Sequence, residues 1–200
     1  MTSSPHADHS PPARPSEPAH PDRSPATRPA DFAADPIPGV VITVSDRCSH
    51  GAATDTSGPL AVRELAPHGV ICPAPIIVPD DVAAIRHAIA EAIAAGARLV
   101  FTTGGTGVTP RDVTPEATEP LISLRLDGIA QQIRMAGLAA TPMATLSRGL
   151  VGITERGETG VLIVNAPGSN GGVRDAVSVV GPIARHIIGQ LAGRDHERHH

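Results

Sequence analysis

The 200-residue chain contains no lysine; all sixteen of its Lys+Arg residues are arginine. A Schiff-base lysine, a lysine nucleophile and a P-loop lysine are therefore excluded. Tryptophan and tyrosine are absent too, leaving Phe32 and Phe101 as the only phenyl rings, so no aromatic platform for single-stranded nucleic acid can be assembled. With 20 acids against 16 bases and a formal charge of -4, the balance argues against a nucleic-acid partner. No run approaches the ~18 apolar residues of a membrane span. The N-terminus has no apolar signal-peptide core. Cys48 and Cys72 are too few and too far apart for a disulfide framework or a Cys-based zinc site, which points to a reducing, cytoplasmic compartment.

Proline and glycine are abundant, at 21 and 20 residues. Nine of the prolines fall within residues 1–36, among few apolar side chains that could offset the entropy of ordering. Residues 1–36 read as a disordered tail, in which His6, His9 and His20 lack the scaffold spacing of metal ligands. Residues 37–193 read as one domain, long enough to bury ~70% of its unfolded surface, and 194–200 as a flexible C-terminal tail.

Within the domain, Gly39 to Ser45 is a short β-branched run typical of a buried strand. Thr56-Ser57-Gly58-Pro59 opens a helix with proline in its first turn. Val70 to Val78 predicts a second strand, irregular or at an edge where Pro73 and Pro75 fall. Asp80 or Asp81 caps the next helix, whose Val82, Ile85, Ile89 and Ile93 recur at helical spacing. Arg98 to Thr102 predicts a third strand that runs into Gly104-Gly105-Thr106-Gly107. Thr114-Pro115 starts a helix that Pro120 must divide, and Asp127 to Ala136 predicts another. Leu150 to Thr154 and Val161 to Val164 predict an antiparallel pair, before a final helix ending at Leu191 with His186 near its apolar face. The alternation gives an α/β fold: a three-layer, open, mostly parallel sheet flanked by helices.

Ligands of open α/β sheets bind beyond the carboxyl ends of the strands. Three loops leave strands there: Ser45-Asp46-Arg47, Thr103 to Asp112, and Pro167 to Gly172. Glycine lets backbone N–H groups approach a phosphate, and a following helix N-terminus favours the anion; tight strand-to-helix turns use glycine for purely structural reasons as well. The third-strand loop lacks the ending of a P-loop and the spacing of a dinucleotide fingerprint. It offers hydroxyls and amides followed by Arg111 and Asp112. A carboxylate beside a phosphate cradle calls for an intervening cation, and Mg²⁺ bound by one or two carboxylates plus substrate phosphates meets that need. Asp80 is the second carboxylate that the topology can bring to the same rim. The plainer alternatives are that Asp80 caps a helix and that Arg111 and Asp112 form a surface ion pair. Cys48, with only His50 nearby, reads as a loop residue.

Ser45-Asp46-Arg47, Asp80, TTGGTGVTPRDVTPEAT (102–118), LDGIAQQIR (126–134), PMATLSRGLVGI (142–153) and NAPGS (165–169) occur in an order that resembles the MogA/MoaB family of molybdenum cofactor biosynthesis proteins. The resemblance covers nearly everything from Val40 to Leu191. It implies a homotrimeric α/β domain that adenylylates molybdopterin with ATP and Mg²⁺, releasing pyrophosphate and passing the product to a molybdate-inserting, MoeA-type partner. It implies that Asp80 and Asp112 are the catalytic and Mg²⁺-linked carboxylates. Substrate binding is implied for Ser45, Asp46 and Arg47, for Thr103, Gly104, Gly105, Thr106, Gly107 and Arg111, and for Gly168 and Ser169. Arg148 is expected to add to the positive field. A MoaB-type paralogue that binds molybdopterin without adenylyl transfer is the alternative, and hydrolysis of a nucleotide pyrophosphate bond a third reading. Pro120, Asn165-Ala166 and Asn170-Gly171-Gly172 depart from the pattern, the last expected to loosen the start of the final helix.

Overall fold

A computed structural model of the chain describes residues 35–193. The expected C-terminal tail, and all but two residues of the expected N-terminal tail, lie outside the described residues.

The strands are β1 (Ile37–Val44), β2 (Val70–Ile71), β3 (Ile76–Val78), β4 (Leu99–Thr103), β5 (Leu124–Arg125), β6 (Val151–Ile153) and β7 (Leu162–Ala166). They form one mostly parallel sheet in the order β2-β1-β4-β7-β6-β5, with β3 also paired to β1. β1, β3, β4 and β7 run parallel, and β6 is antiparallel to both β5 and β7. The single strand expected over Val70 to Val78 is two: β2 pairs with Ile37 and Pro38, and β3 with Ile42 to Val44. Pro73 and Pro75 fall between them, where the missing N–H groups break the ladder.

The helices are α1 (Asp46–Ser49), α2 (Ser57–Leu65), α3 (Val82–Ala94), α4 (Thr114–Thr118), α5 (Asp127–Leu138) and α6 (Asn170–Leu191). α1 occupies the segment expected to be only a loop; the Ser45 side chain caps it by accepting from the Cys48 amide. Asp81 caps α3, accepting from the Ala84 amide at 2.8 Å, so Asp80 is free of that task. As expected, Pro120 ends α4, and the chain continues as a 3-10 turn over Glu119–Leu121. The glycines after Asn170 do not loosen α6, because the Ser169 side chain accepts from the Gly172 amide at 3.0 Å. His186 is exposed rather than packed.

Strand residues alternate between two cores, as the period of two requires. Val41, Leu99, Phe101, Leu162 and Val164 pack with residues of α2, α5 and α6. Ile42, Val44, Val100 and Ile163 pack with Ile85 and Ile89 of α3 and Ala117 of α4. Strands apolar on both faces fix the three layers, and each fully buried large side chain contributes ~1.5–3 kcal/mol. The carboxyl ends of β1, β3, β4 and β7 consequently share one rim of the sheet.

Candidate functional site

The loops after β1 and β3 are joined by a reciprocal bond. The Asp46 amide donates to Asp80 Oδ2 at 2.8 Å, and the Asp80 amide donates to Asp46 Oδ1 at 3.0 Å. Arg111 reaches across from the β4 loop, placing Nη2 3.1 Å from Asp46 Oδ2. It therefore pairs with Asp46, not with its neighbour Asp112. Arg47 is exposed on α1. Below this rim Asp55 accepts from the Thr43 hydroxyl at 2.7 Å and the Gly58 amide at 3.0 Å, pinning the start of α2. Its position three residues before Gly58 carries a capping signal that the sequence reading passed over.

The Gly104-Gly105-Thr106-Gly107 loop adopts a backbone that only glycine tolerates well. Gly104 has φ +104° and Gly105 φ +63°; a Cβ on Gly104 would strike the Val44 carbonyl, and one on Gly105 the Thr114 hydroxyl. Buried hydroxyls and one amide hold the loop from beneath. Thr114 Oγ1 donates to the Gly104 carbonyl at 2.9 Å, and Thr118 Oγ1 to the Thr114 carbonyl at 2.8 Å. Asn165 Nδ2 donates to Thr102 Oγ1 at 3.0 Å and Thr118 Oγ1 at 3.1 Å, while its Oδ1 accepts from the Leu150 amide at 3.2 Å. Thr103, expected to touch substrate, instead donates to the Pro167 carbonyl at 3.0 Å and is buried. The β7 loop lies directly against the β4 loop: a Cβ on Gly168 would sit 3.1 Å from Gly104 Cα.

Both expected carboxylates border this loop. Asp80 Oδ1 lies 3.4 Å from the position of a Cβ on Gly105, and Asp112 Oδ2 lies 2.9 Å from that of a Cβ on Gly107. Asp112 Oδ2 also accepts from the Thr109 amide at 2.8 Å. Partial burial alone would raise the Asp112 carboxyl, but hydrogen bonds from Thr109 and Gly107, together with the Arg148 charge, hold it below the usual carboxylate range. Two carboxylates beside one amide-rich loop are oxygen donors suited to a hard cation. Among the described residues no cluster of three or more His, Cys, Asp or Glu could hold a metal ion, so Mg²⁺ here would take its remaining ligands from substrate phosphate and water, its ordinary habit.

Arg148, expected to add to the positive field, is engaged with the glycine loop and its neighbours. Its amide donates to the Thr106 carbonyl at 2.8 Å, Nε to the Gly107 carbonyl at 2.7 Å, and Nη2 to the Asp112 carbonyl at 2.6 Å. Nη1 pairs with Glu116. That pairing, the largest influence on Glu116, holds its carboxyl below the usual range. Arg148 thus braces the loop and Asp112 from behind, with its charge already matched.

On the β7 side the rim opens into a cavity of about 420 Å³. Gly104 to Gly107, Asp112, Gly168 and Ser169 form one wall of it. Sequence reasoning missed the opposite wall, made by Ile133, Arg134 and Gly137 of α5, by Met143, Ala144 and Leu146, and by Asp175 of α6. Ser45, Asp46, Arg47, Asp80 and Arg111 lie outside this cavity, as does the buried Thr103. The arrangement can hold an elongated ligand with its anionic end on the glycine loop and bring that end toward carboxylates on the neighbouring rim.

Residues 40–186 match the family described as a probable molybdopterin binding domain. The chain belongs to that molybdopterin-binding family. A molybdopterin biosynthesis protein from Mycobacterium abscessus shares 44% identity and superposes with a TM-score of 0.72, covering 79% of this chain and 98% of that one. The molybdopterin adenylyltransferase of Pyrococcus furiosus is 38% identical over 149 residues, 74% of this chain and 87% of that protein. Gephyrin of Dictyostelium discoideum is 40% identical over 161 residues, 76% of this chain. The chain spans only 22% of gephyrin's length. These likenesses place the chain among the MogA/MoaB-type molybdopterin-binding proteins of molybdenum cofactor biosynthesis. Among the described residues no helix is long and apolar enough to cross a membrane.

Proposed function

We propose that the protein is a molybdopterin adenylyltransferase that uses Mg-ATP. The observation that carries this reading is the placement of Asp80 and Asp112 against Gly105 and Gly107, two glycines of one loop that also lines the cavity. A ligand phosphate on that loop is within reach of both carboxylates while its body occupies the cavity. In the proposed reaction a terminal phosphate oxygen of molybdopterin forms a bond to the α-phosphorus of ATP. The bond from that phosphorus to the β-phosphate oxygen breaks, and pyrophosphate leaves with the electron pair. The phosphate monoester is already an anionic nucleophile, so the chain supplies positioning and charge rather than a strong base. Loop amides and the Ser169-capped N-terminus of α6 orient the attacking phosphate. Arg47, exposed on α1, meets the nucleotide phosphates from the β1–β3 side. Asp80 and Asp112 would hold Mg²⁺, which would supply charge neutralisation for the departing pyrophosphate.

A homotrimer and a MoeA-type recipient of the product belong to the same proposal. Exposed Ile71, Ile76 and Ile77 on the outer strands offer apolar surface for assembly, which sedimentation equilibrium tests. For the reaction itself, the full chain is incubated with molybdopterin and Mg-ATP while pyrophosphate and adenylyl-molybdopterin are both followed. Pyrophosphate release that depends on molybdopterin supports the transferase. Binding without turnover replaces it with the MoaB-type reading, and cleavage of ATP without molybdopterin with hydrolysis.

A further inference from the structure

We infer that Asp175 reads the 2-amino-4-oxo edge of the pterin ring and selects pterins over their 2-oxo counterparts; this rests on the proposed molybdopterin site. The cavity has two chemically opposite ends. One is the glycine loop with Ser169, whose amides suit an anion. Asp175 lies on α6 six residues beyond Ser169, about 9 Å farther along the axis at the helical rise. Its carboxylate faces α5, with Oδ2 3.3 Å from the position of a Cβ on Gly137. The residue is half-buried, and among the described residues its side chain has no hydrogen-bond or ion-pair partner. Arg134 lines the same cavity, but it donates to the Ser147 and Gly149 carbonyls at 3.4 and 3.3 Å rather than to Asp175.

An ionised carboxylate only accepts hydrogen bonds. A ligand whose phosphate sits on the loop must therefore present donors at the Asp175 end. The pterin edge presents two adjacent donors, N3–H and the 2-amino group, spaced to match the two oxygens of a carboxylate. The aliphatic side chains of Ile133, Met143 and Leu146 supply flanking surface for the ring, in a chain without tryptophan or tyrosine. Replacing the 2-amino group by oxygen sets an acceptor against an acceptor. An asparagine at 175 would instead offer one donor and one acceptor, the complement of a 2-oxo, N3–H edge.

The test is equilibrium binding of 6-hydroxymethylpterin phosphate and 6-hydroxymethyllumazine phosphate, which differ at position 2, to the full chain and to Asp175→Asn and Asp175→Glu. The wild type is expected to favour the pterin by ~10–100-fold, the value of one or two charge-assisted hydrogen bonds. Asp175→Asn is expected to lose that preference and bind the lumazine at least as well, which also reports that the variant is folded. Asp175→Glu keeps the pterin preference with weaker affinity. Equal binding of both ligands by the wild type, an unchanged preference in Asp175→Asn, or no pterin preference in Asp175→Glu overturns the assignment. A wild type that binds neither phosphate ligand overturns the molybdopterin reading beneath it.

Discussion

The two sides of the rim solve different problems. On the β1–β3 side, Asp46 and Asp80 exchange hydrogen bonds of 2.8 and 3.0 Å, and Arg111 pairs with Asp46 at 3.1 Å. On the β7 side, glycines and aliphatic side chains surround about 420 Å³ of space, and Asp175 is left without a partner among the described residues. A closed polar lattice fixes carboxylates in place at little cost, because each lone pair that leaves water finds a donor. An open apolar wall leaves binding energy for the ligand. The glycine loop is the seam between the two sides. The division predicts that substitutions on the first side damage turnover and those on the second damage binding.

Asp80→Asn offers the strongest test of that division, because Asp80 lies outside the cavity. Turnover should fall by roughly 10²–10³-fold, the scale of losing one charge-stabilising group, while molybdopterin affinity measured by fluorescence titration changes little. Equal loss in both would dissolve the distinction. At the seam, Gly104→Ala should destabilise the fold by ~1–3 kcal/mol in urea unfolding, the cost of a side chain at positive φ, with the Val44 carbonyl as a further obstacle. Arg148→Lys should lower kcat by ~10-fold with a smaller change in KM, since lysine cannot reproduce the fork that positions Asp112. A selective rise in KM would move Arg148 to the binding side.

The smallest effect is on pH. Asp112 and Glu116 are held below the usual carboxylate range when folded. The stability they contribute is therefore present above the ordinary carboxylate pKa and lost as pH falls below about 4 toward the folded values. Both groups are largely solvent-screened, so the loss is slight. Glu116→Gln should flatten the fall in thermal midpoint between neutral pH and pH ~3.5, measured by circular dichroism.

The sheet and its loops were legible because their signals are local. β-branched runs, the spacing of Val82, Ile85 and Ile89, and the position of the glycine loop after β4 each need only a short window. β5 is two residues long and α1 four, too short for periodicity to register. The role of Arg148 stayed hidden for a different reason: it bonds to Gly107 and Asp112 from 41 and 36 residues away, and an arginine near a phosphate loop reads naturally as a ligand. Asn165 stood out only as an unusual residue, although it holds two hydroxyls and an amide beneath the loop.

Composition alone determined that no lysine takes part in the chemistry and that no tryptophan or tyrosine stacks on a ligand, because an absent side chain cannot be supplied by folding. Local pattern determined the alternation of strands and helices, the two-sided burial of the strands and the rim where ligands meet them. Tertiary structure decided which charges are already spent and which remain available. Arg111 and Arg148 look alike in the sequence, yet one ties two rim loops together and the other braces Asp112. Asp175 looks like any polar helix residue, yet it faces a cavity with no partner among the described residues. Those distinctions depend on distances between residues far apart in the chain, which only packing establishes.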